Sequence, residues 1–166
     1  KWVNRIVARK SLHIMAISNF VRDDIAAYTG IPKNKITVTH LAADPITETP
    51  KPIKRLEGKQ LIMYVGRPLP HKNLPRLIEA FQQLQASHPQ LYLVLAGKKD
   101  ENYSRIADDV IKRGIKQVVF TDFISEGELR WLYEHTAAYV FPSLSEGFGL
   151  PSLEAMKHGA PVVSSN

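Results

Sequence analysis

The sequence predicts an α/β protein built on an open, doubly wound parallel sheet, and three observations carry that expectation. From residue 61 onward, strand-like and helix-like segments alternate roughly every thirty residues. The strand-like segments are short, nearly continuous apolar runs, as expected of parallel strands buried on both faces. The segments between them place apolar residues at helical spacing, and the connections are short.

Taken in order, the predicted strands of this region are "LIMYVG" (61–66), "LYLVLAG" (91–97), "QVVFTDF" (117–123), "AAYVFP" (137–142) and "APVVSS" (160–165). The helical patterns are "NLPRLIEAFQQLQASHP", "NYSRIADDVIKRG", "SEGELRWLYEHTA" and "LPSLEAMKHG". In the first of these, Leu74, Leu77, Ile78, Phe81 and Leu84 share one face. Asn73 reads as its N-cap, with Pro75 in the first turn. Ser125 and Glu128 fit a capping box, and Gly114 and Gly159 fit helix stops. Ahead of this region, "SLHIMAIS", "NFVRDDIAAYTG" and "KITVTHL" make a strand-helix-strand unit. The proline-bearing, charged stretch "AADPITETPKPIKRLEGKQ" follows and reads as a linker. The expected organisation is the tail of one α/β domain (1–44), an interdomain linker (45–60) and most of a second domain (61–166).

Composition narrows the function classes. The chain of 166 residues is 44% hydrophobic and 23% charged, an ordinary globular balance. No apolar run reaches the roughly 18–20 residues that span a bilayer, and the basic opening "KWVNRIVARKSLH" lacks the apolar core of a signal peptide. Cysteine is absent, which excludes a disulfide scaffold. The net charge of +6 suits nucleic acid, an anionic membrane or a phosphorylated small molecule. The lysines form no block and no nucleic-acid motif appears, so no nucleic-acid partner is expected.

In a doubly wound sheet, ligands bind beyond the carboxyl ends of the strands. Neither G-x-G-x-x-G nor G-x-x-x-x-G-K-[ST] follows the first strand of the main region. Gly66 instead permits a sharp turn, and Arg67 and Lys72 project from the strand's end. Two cations there suit a diphosphate, although a solvated basic loop would read the same way. In "SLSEGFGLPSLEAMKHG", Gly147 and Gly149 admit backbone close to a ligand, and Leu150-Pro151 opens a helix. Glu154, placed by the pattern in the first helical turn, could simply complement the helix dipole. Ser143 with Glu146 also fits a cap formally. Taken together, cations at 67 and 72 and hydroxyl acceptors at 146 and 154 describe a site for a nucleotide-sugar.

"SEGFGLPSLEAMKHGAPVVSSN" is similar to the E-x₇-E segment of the retaining glycosyltransferases of family 4, which have the GT-B fold. "YVGRPLPHKNLPRLIEAF" resembles that family's Gly-Arg…Lys loop and the helix after it. "ISNFVRDDIAAYTGIPKNKITVTHLAAD" resembles the end of its N-terminal domain and the crossing into the second. The resemblance covers almost the whole chain, in order. It implies a Rossmann-like C-terminal domain, with Gly66, Arg67 and Lys72 at the donor diphosphate and the two cations stabilising the leaving group. It also implies Glu154 on the ribose, Glu146 on the sugar hydroxyls near the reacting carbon, and backbone N–H groups of Gly147, Phe148, Gly149 and Leu150 on sugar and phosphate oxygens. The base would lie near Gly97, Phe123 and Ile124. Glu146, Arg67 and Lys72 are thus the expected catalytic residues.

No cofactor is expected beyond the nucleoside-diphosphate sugar itself, for which GDP-mannose is the first expectation. No D-x-D motif occurs. The pairs Asp23-Asp24 and Asp108-Asp109 read as solvated helix positions and the histidines lack ligand spacing, so no metal is expected. The wording "PHKNLPRLIEAF" is similar to mannosyltransferases of bacterial surface polysaccharides. A glycan or lipid-linked acceptor is therefore expected, in the cytoplasm, with peripheral attachment to the inner membrane face. The family has a glycine where this chain reads "HLAAD", which puts the local backbone of the crossing in question. A sixth strand, the returning helices and most of the N-terminal domain are expected outside this sequence, so the chain alone is expected to be inactive. It is also expected to self-associate through "SLHIMAIS". A sugar-nucleotide epimerase of the same fold and a non-catalytic binding module are the alternatives.

Overall fold

The computed structural model describes residues 2–165, and the chain divides into two compact units. The smaller unit takes the residues up to Ala42 together with Glu146–Leu150. It contains helix α1 (Trp2–Lys10), strand β1 (Ile14–Ala16), helix α2 (Asn19–Thr29) and strand β2 (Ile36–Val38). The two strands pair in parallel, Ile14 opposite Ile36 and Ala16 opposite Val38. Helix α2 starts where Ser18, in extended conformation, accepts a hydrogen bond from the Val21 N–H at 3.1 Å. It ends at Gly30, in the left-handed region, whose N–H donates to the Ala26 carbonyl. Ala16, Ile31 and Ile36 form the small core, against which Ile14, Val21 and Ile25 pack.

The strand-helix-strand reading of this segment holds, but both strands are shorter than their apolar runs. Leu12 and Met15 are exposed, so "SLHIMAIS" does not lie buried on both faces here. Helix α1 was not expected. Trp2, Val3, Ile6 and Val7 fall at helical spacing, but Trp2, Val3 and Val7 face solvent and no residue of the helix is fully buried, with Ala8 packing on the small core. Asp23 is not simply solvated, since it pairs with Arg22 at 2.8 Å and Lys33 at 3.0 Å.

The larger unit takes Ala43–Ser145 and the described residues from Pro151 onward. Its strands are β3 (Gln60–Val65), β4 (Leu91–Ala96), β5 (Val118–Phe120), β6 (Ala138–Phe141) and β7 (Val162–Ser164). They form one sheet, entirely parallel, in the order β5-β4-β3-β6-β7. The helices between them are α3 (Leu74–Gln85), α4 (Glu101–Lys112), α5 (Glu126–His135) and α6 (Leu150–Lys157).

Side-chain alternation along the strands sorts the core into two layers. Leu61 and Met63 of β3, Val94 and Ala96 of β4 and Tyr139 and Phe141 of β6 meet Trp131, Leu132 and Tyr133 of α5 and Ala155 of α6. Ile62 and Tyr64, with Leu93 and Leu95, meet Leu74, Leu77, Ile78 and Phe81 of α3 and Tyr103 and Val110 of α4. Each fully buried Leu or Phe contributes about 1.5–3 kcal/mol relative to its exposed state. A sheet covered on both faces has no polar side to show, and this is why its strands read as unbroken apolar runs.

Local signals hold in part. The capping box of α5 is complete: Ser125 accepts from the Glu128 N–H, and the Glu128 carboxylate accepts from the Ser125 N–H at 2.9 Å. Asn73, expected as a cap of α3, makes no capping bond. It closes the single 3₁₀ turn Pro70–Lys72 in the left-handed region, with φ 56°, and its side chain donates instead to the Pro142 carbonyl at 3.2 Å. The run 117–123 shrinks to a three-residue strand because Gln117 and Asp122 also have positive φ, which breaks the ladder at both ends. The stretch 45–60 lies within the larger unit and is tied to it. The Ile46 N–H donates to His158 Nε2 at 3.0 Å, the Lys51 N–H donates to the Gly127 carbonyl at 2.9 Å, and Leu56 is buried in the core.

Candidate functional site

The sheet order fixes where a ligand can enter. The chain winds outward from β3 through β4 to β5, then returns to the other side of β3 for β6 and β7. The winding thus reverses between β3 and β6, and in an open α/β sheet ligands bind at the carboxyl edge near such a point.

Gly66 and Arg67 leave β3 at this edge. Tyr64 donates its hydroxyl proton to the Arg67 carbonyl at 3.2 Å, and Tyr103 donates to the Gly66 carbonyl at 2.9 Å. Burial, with Tyr64 and Asp100 adding to it, pushes the Tyr103 hydroxyl above its ordinary range, so it remains a proton donor. With its backbone carbonyls held from inside, the turn leaves the Arg67 side chain exposed. Arg67, Lys98 and Asp100 line a cleft of about 430 Å³. Gly97 ends β4 beside them with φ 153°, and a Cβ there would stand 2.5 Å from the Gly66 carbonyl oxygen. Only glycine lets these two strand ends approach so closely.

Lys72 ends the 3₁₀ turn, with Nζ 5.5 Å from the centre of the Phe141 ring at the end of β6. Beside it the Leu144 N–H donates to the His71 carbonyl at 2.8 Å, so the loops after β3 and β6 are joined. Beyond β5, the Asp122 carboxylate accepts from the Lys99 N–H at 2.8 Å. That bond, followed by one from the Phe123 N–H, holds its carboxyl below the usual range. The adjacent Phe123 is 81% exposed, whereas Ile124 packs into the core. Of that expected pair, Phe123 is the more exposed.

Glu154 lies in the second turn of α6, not the first, so dipole complementation no longer accounts for it. Its Oε2 accepts from the Tyr133 hydroxyl at 3.4 Å. Tyr133 is fully buried, stacked on His158 and edge-on to Tyr139. Burial, and next Glu154, push its hydroxyl above the ordinary range, so the proton stays on Tyr133 and the carboxylate remains the acceptor.

The loop 146–150 belongs to the smaller unit. The Gly147 carbonyl accepts a hydrogen bond from Ser18 Oγ at 2.6 Å. A Cβ on Gly147 would meet Ile17 Cδ1 at 3.2 Å and Val21 Cγ2 at 3.5 Å. The Phe148 ring lies 5.9 Å from that of His40. Gly149 has φ 92° and Leu150 begins α6, while Glu146 is half-buried.

The expected site residues thus fall into two groups. Gly66, Arg67, Lys72, Gly97, Phe123, Ile124 and Glu154 belong to the larger unit, and Glu146, Gly147, Phe148, Gly149 and Leu150 to the smaller. Sequence reasoning missed the supporting set: Ser18, Tyr64, Tyr103 and Tyr133. Tyr64 and Tyr103 read as core residues of a strand and a helix, and only their hydroxyls hint at a further task. Among the described residues no group of three or more His, Asp or Glu could hold a metal ion. No helix among them is long and apolar enough to cross a membrane.

Comparison with known proteins agrees with this geometry. Residues 45–166 match the family model described as glycosyl transferases group 1. Over 95% of its length the chain is 34% identical to O-antigen chain mannosyltransferase B of Escherichia coli, covering 46% of that protein. Over its whole length it is 28% identical to O-antigen chain mannosyltransferase RfbU of Salmonella typhimurium, covering 45% of it. The chain therefore spans just under half the length of these relatives. Among solved structures, it superposes on HepE of Anabaena, in complex with UDP and glucose, with a TM-score of 0.80 and 18% identity, covering 98% of this chain and 47% of that one. Sucrose-phosphate synthase of Thermosynechococcus elongatus gives a TM-score of 0.78 at 22% identity, covering 98% and 43%. Sheet order, the Gly-Arg turn after β3 and the match over 45–166 make one conclusion: this chain belongs to the glycosyl transferases group 1 family, with a Rossmann-like fold of GT-B type.

Proposed function

We propose that the chain is the donor-binding part of a retaining, metal-independent hexosyltransferase that takes mannose from GDP-mannose to a glycan or lipid-linked acceptor. The observation that carries this reading is the pair Arg67 and Lys72 on the carboxyl edge of β3, where the winding of the sheet reverses. Arginine can grip two phosphate oxygens at once, and lysine adds a compact charge. As the bond from the sugar's anomeric carbon to the phosphate breaks, negative charge grows on the diphosphate. Cations already in place there lower the barrier. Glu154 accepts from the ribose hydroxyls, and the exposed Phe123 ring offers a face to the base. Glu146 accepts from the sugar hydroxyls, and N–H groups of the 147–150 loop serve sugar and phosphate oxygens. The choice of mannose follows the mannosyltransferase relatives. Cytoplasmic action at the inner membrane face fits the net charge of +6. On this reading the chain alone binds donor without transferring sugar.

Calorimetry with GDP and GDP-mannose on four variants tests this. Arg67→Ala and Lys72→Ala should each weaken both compounds about ten- to a hundredfold. Glu154→Ala should also weaken both, through the ribose. Glu146→Ala should spare GDP and weaken GDP-mannose. If Glu146→Ala loses GDP as badly as Arg67→Ala does, the assignment of sugar and phosphate ends is wrong.

A further inference from the structure

The loop that carries Glu146 is held by a serine far from it in sequence. Ser18 Oγ accepts from the Val21 N–H at 3.1 Å and donates to the Gly147 carbonyl at 2.6 Å. One hydroxyl therefore closes the first turn of α2 and fixes the plane of the peptide bond between Gly147 and Phe148. Val21 and Ile17 lie under the Gly147 Cα, where a Cβ would crowd them. His40 flanks the Phe148 ring. The loop is thus held at its carbonyl, its Cα and its aromatic side chain.

The consequence comes from peptide geometry. No peptide bond in the described residues is cis, and in a planar trans peptide the C=O and the next N–H point in opposite directions. Drawing the Gly147 carbonyl onto Ser18 therefore aims the Phe148 N–H directly away from Ser18. It also removes the alternative in which the carbonyl oxygen takes that outward position and repels an electronegative ligand atom. Glycines on both sides of Phe148 make such a flip inexpensive unless something holds it. Ser18 is what holds it.

We propose that Ser18 is a positioning residue for the sugar end of the donor. It keeps the Phe148 N–H in the donating orientation and the backbone of Glu146 in one place. This rests on the reading of the 146–150 loop as the sugar-contacting segment. Ser18 touches no reacting atom, so its effect reaches the ligand only through Gly147.

Two substitutions separate this role from helix capping. Glycine is nearly as good an N-cap as serine, costing only a few tenths of a kcal/mol, yet it has no hydroxyl to donate. Threonine keeps both functions. In Ser18→Gly, the carbonyl ¹³C resonance of Gly147 should move upfield with loss of its hydrogen bond, and the amide signals of 146–149 should broaden. Affinity for GDP-mannose should fall about three- to tenfold, the scale of one hydrogen bond, while affinity for GDP changes less than about twofold. Ser18→Thr should restore the carbonyl resonance and the GDP-mannose affinity.

A Ser18→Gly chain with the wild-type Gly147 resonance and wild-type GDP-mannose affinity overturns the role of Ser18 and leaves the donor-binding reading standing. An equal loss for GDP and GDP-mannose also overturns it, since the effect would then not be on the sugar end. Failure of the wild-type chain to bind either compound removes the donor-binding reading, and this role with it.

Discussion

The Tyr133 hydroxyl donates to Glu154 at 3.4 Å from a ring buried beneath α6 and stacked on His158. A core side chain therefore orients an acceptor that the sequence shows only as one acid on a helix. Tyr133→Phe keeps the ring and its packing while removing the donor. At this distance the bond lies at the weak end of the usual 0.5–1.5 kcal/mol. Nucleoside-diphosphate affinity should fall about two- to threefold, with little change in thermal midpoint. A loss as large as that of Glu154→Ala would mean the hydroxyl itself meets the ligand.

Gly97→Ala should be among the most damaging single-methyl additions in the larger unit. The new Cβ would lie 2.5 Å from the Gly66 carbonyl oxygen, on a backbone with φ 153°. Backbone strain alone costs roughly 1–3 kcal/mol, and the clash forces the Arg67 turn to move. Urea unfolding should show the destabilisation, and Arg67-dependent nucleotide affinity should fall with it. Full retention of both would show that the two strand ends separate readily.

Asn73 predicts an ordering of two variants. It sits at φ 56° and donates to the Pro142 carbonyl. Both Asn73→Gly and Asn73→Ala lose that bond, but only alanine also meets the left-handed penalty, roughly 1–2 kcal/mol. Denaturant midpoints should rank wild type above Asn73→Gly, and Asn73→Gly above Asn73→Ala. Alanine equal to glycine would show that the backbone relaxes out of the left-handed region.

Acid should erase the contribution of Glu128. The Ser125 backbone N–H first, then the Ser125 hydroxyl, hold its carboxyl below the usual range. A carboxyl with a depressed folded-state pKa contributes stability that is complete above the unfolded value and lost as pH falls through the folded one. Glu128→Gln should therefore be less stable than wild type at pH 7, by about 1 kcal/mol or less given its exposure to solvent. The gap should narrow as pH drops below about 4.3. A gap that stays constant down to pH 3 would assign the loss to shape instead of charge.

What the sequence revealed depended on how local the cause was. The five strands of the sheet were legible because each is a short apolar run, unbroken in β3 and β4 where both faces are buried, and the Ser125–Glu128 cap because its partners lie three residues apart. The positions of Arg67 and Lys72 in the chain followed from the end of a strand, whereas Glu154 lies one turn further into α6 than its pattern suggested. Helix α1 was not read from the sequence, although Val3, Ile6 and Val7 fall at helical spacing, because its short basic run was weighed only as a leader. The stretch 45–60 looked like a tether because prolines and charges suppress ladder bonds. Its attachment runs through single contacts to His158, Gly127 and Arg130, which leave no periodic trace. Asn73 does stand at the N-cap of α3, but its side-chain partner is Pro142, 69 positions away, which no local pattern shows. Ser18 caps α2, and nothing in the sequence says that its proton goes to residue 147.

The two ties between the loops after β3 and β6, Leu144 to His71 and Asn73 to Pro142, have a consequence for how a ligand at this edge is met. Loops left loose at a sheet edge must be ordered by whatever binds there, and each immobilised side chain or backbone segment then subtracts from affinity. Here the turn carrying Lys72 and the loop after β6 are already one ledge, closed by bonds that form with the fold itself. The ordering cost falls at folding, when the whole core is there to offset it, and any ligand taken up at this edge would meet a surface already in shape. Association at this ledge should accordingly proceed with a small entropic penalty and without a slow rearrangement step.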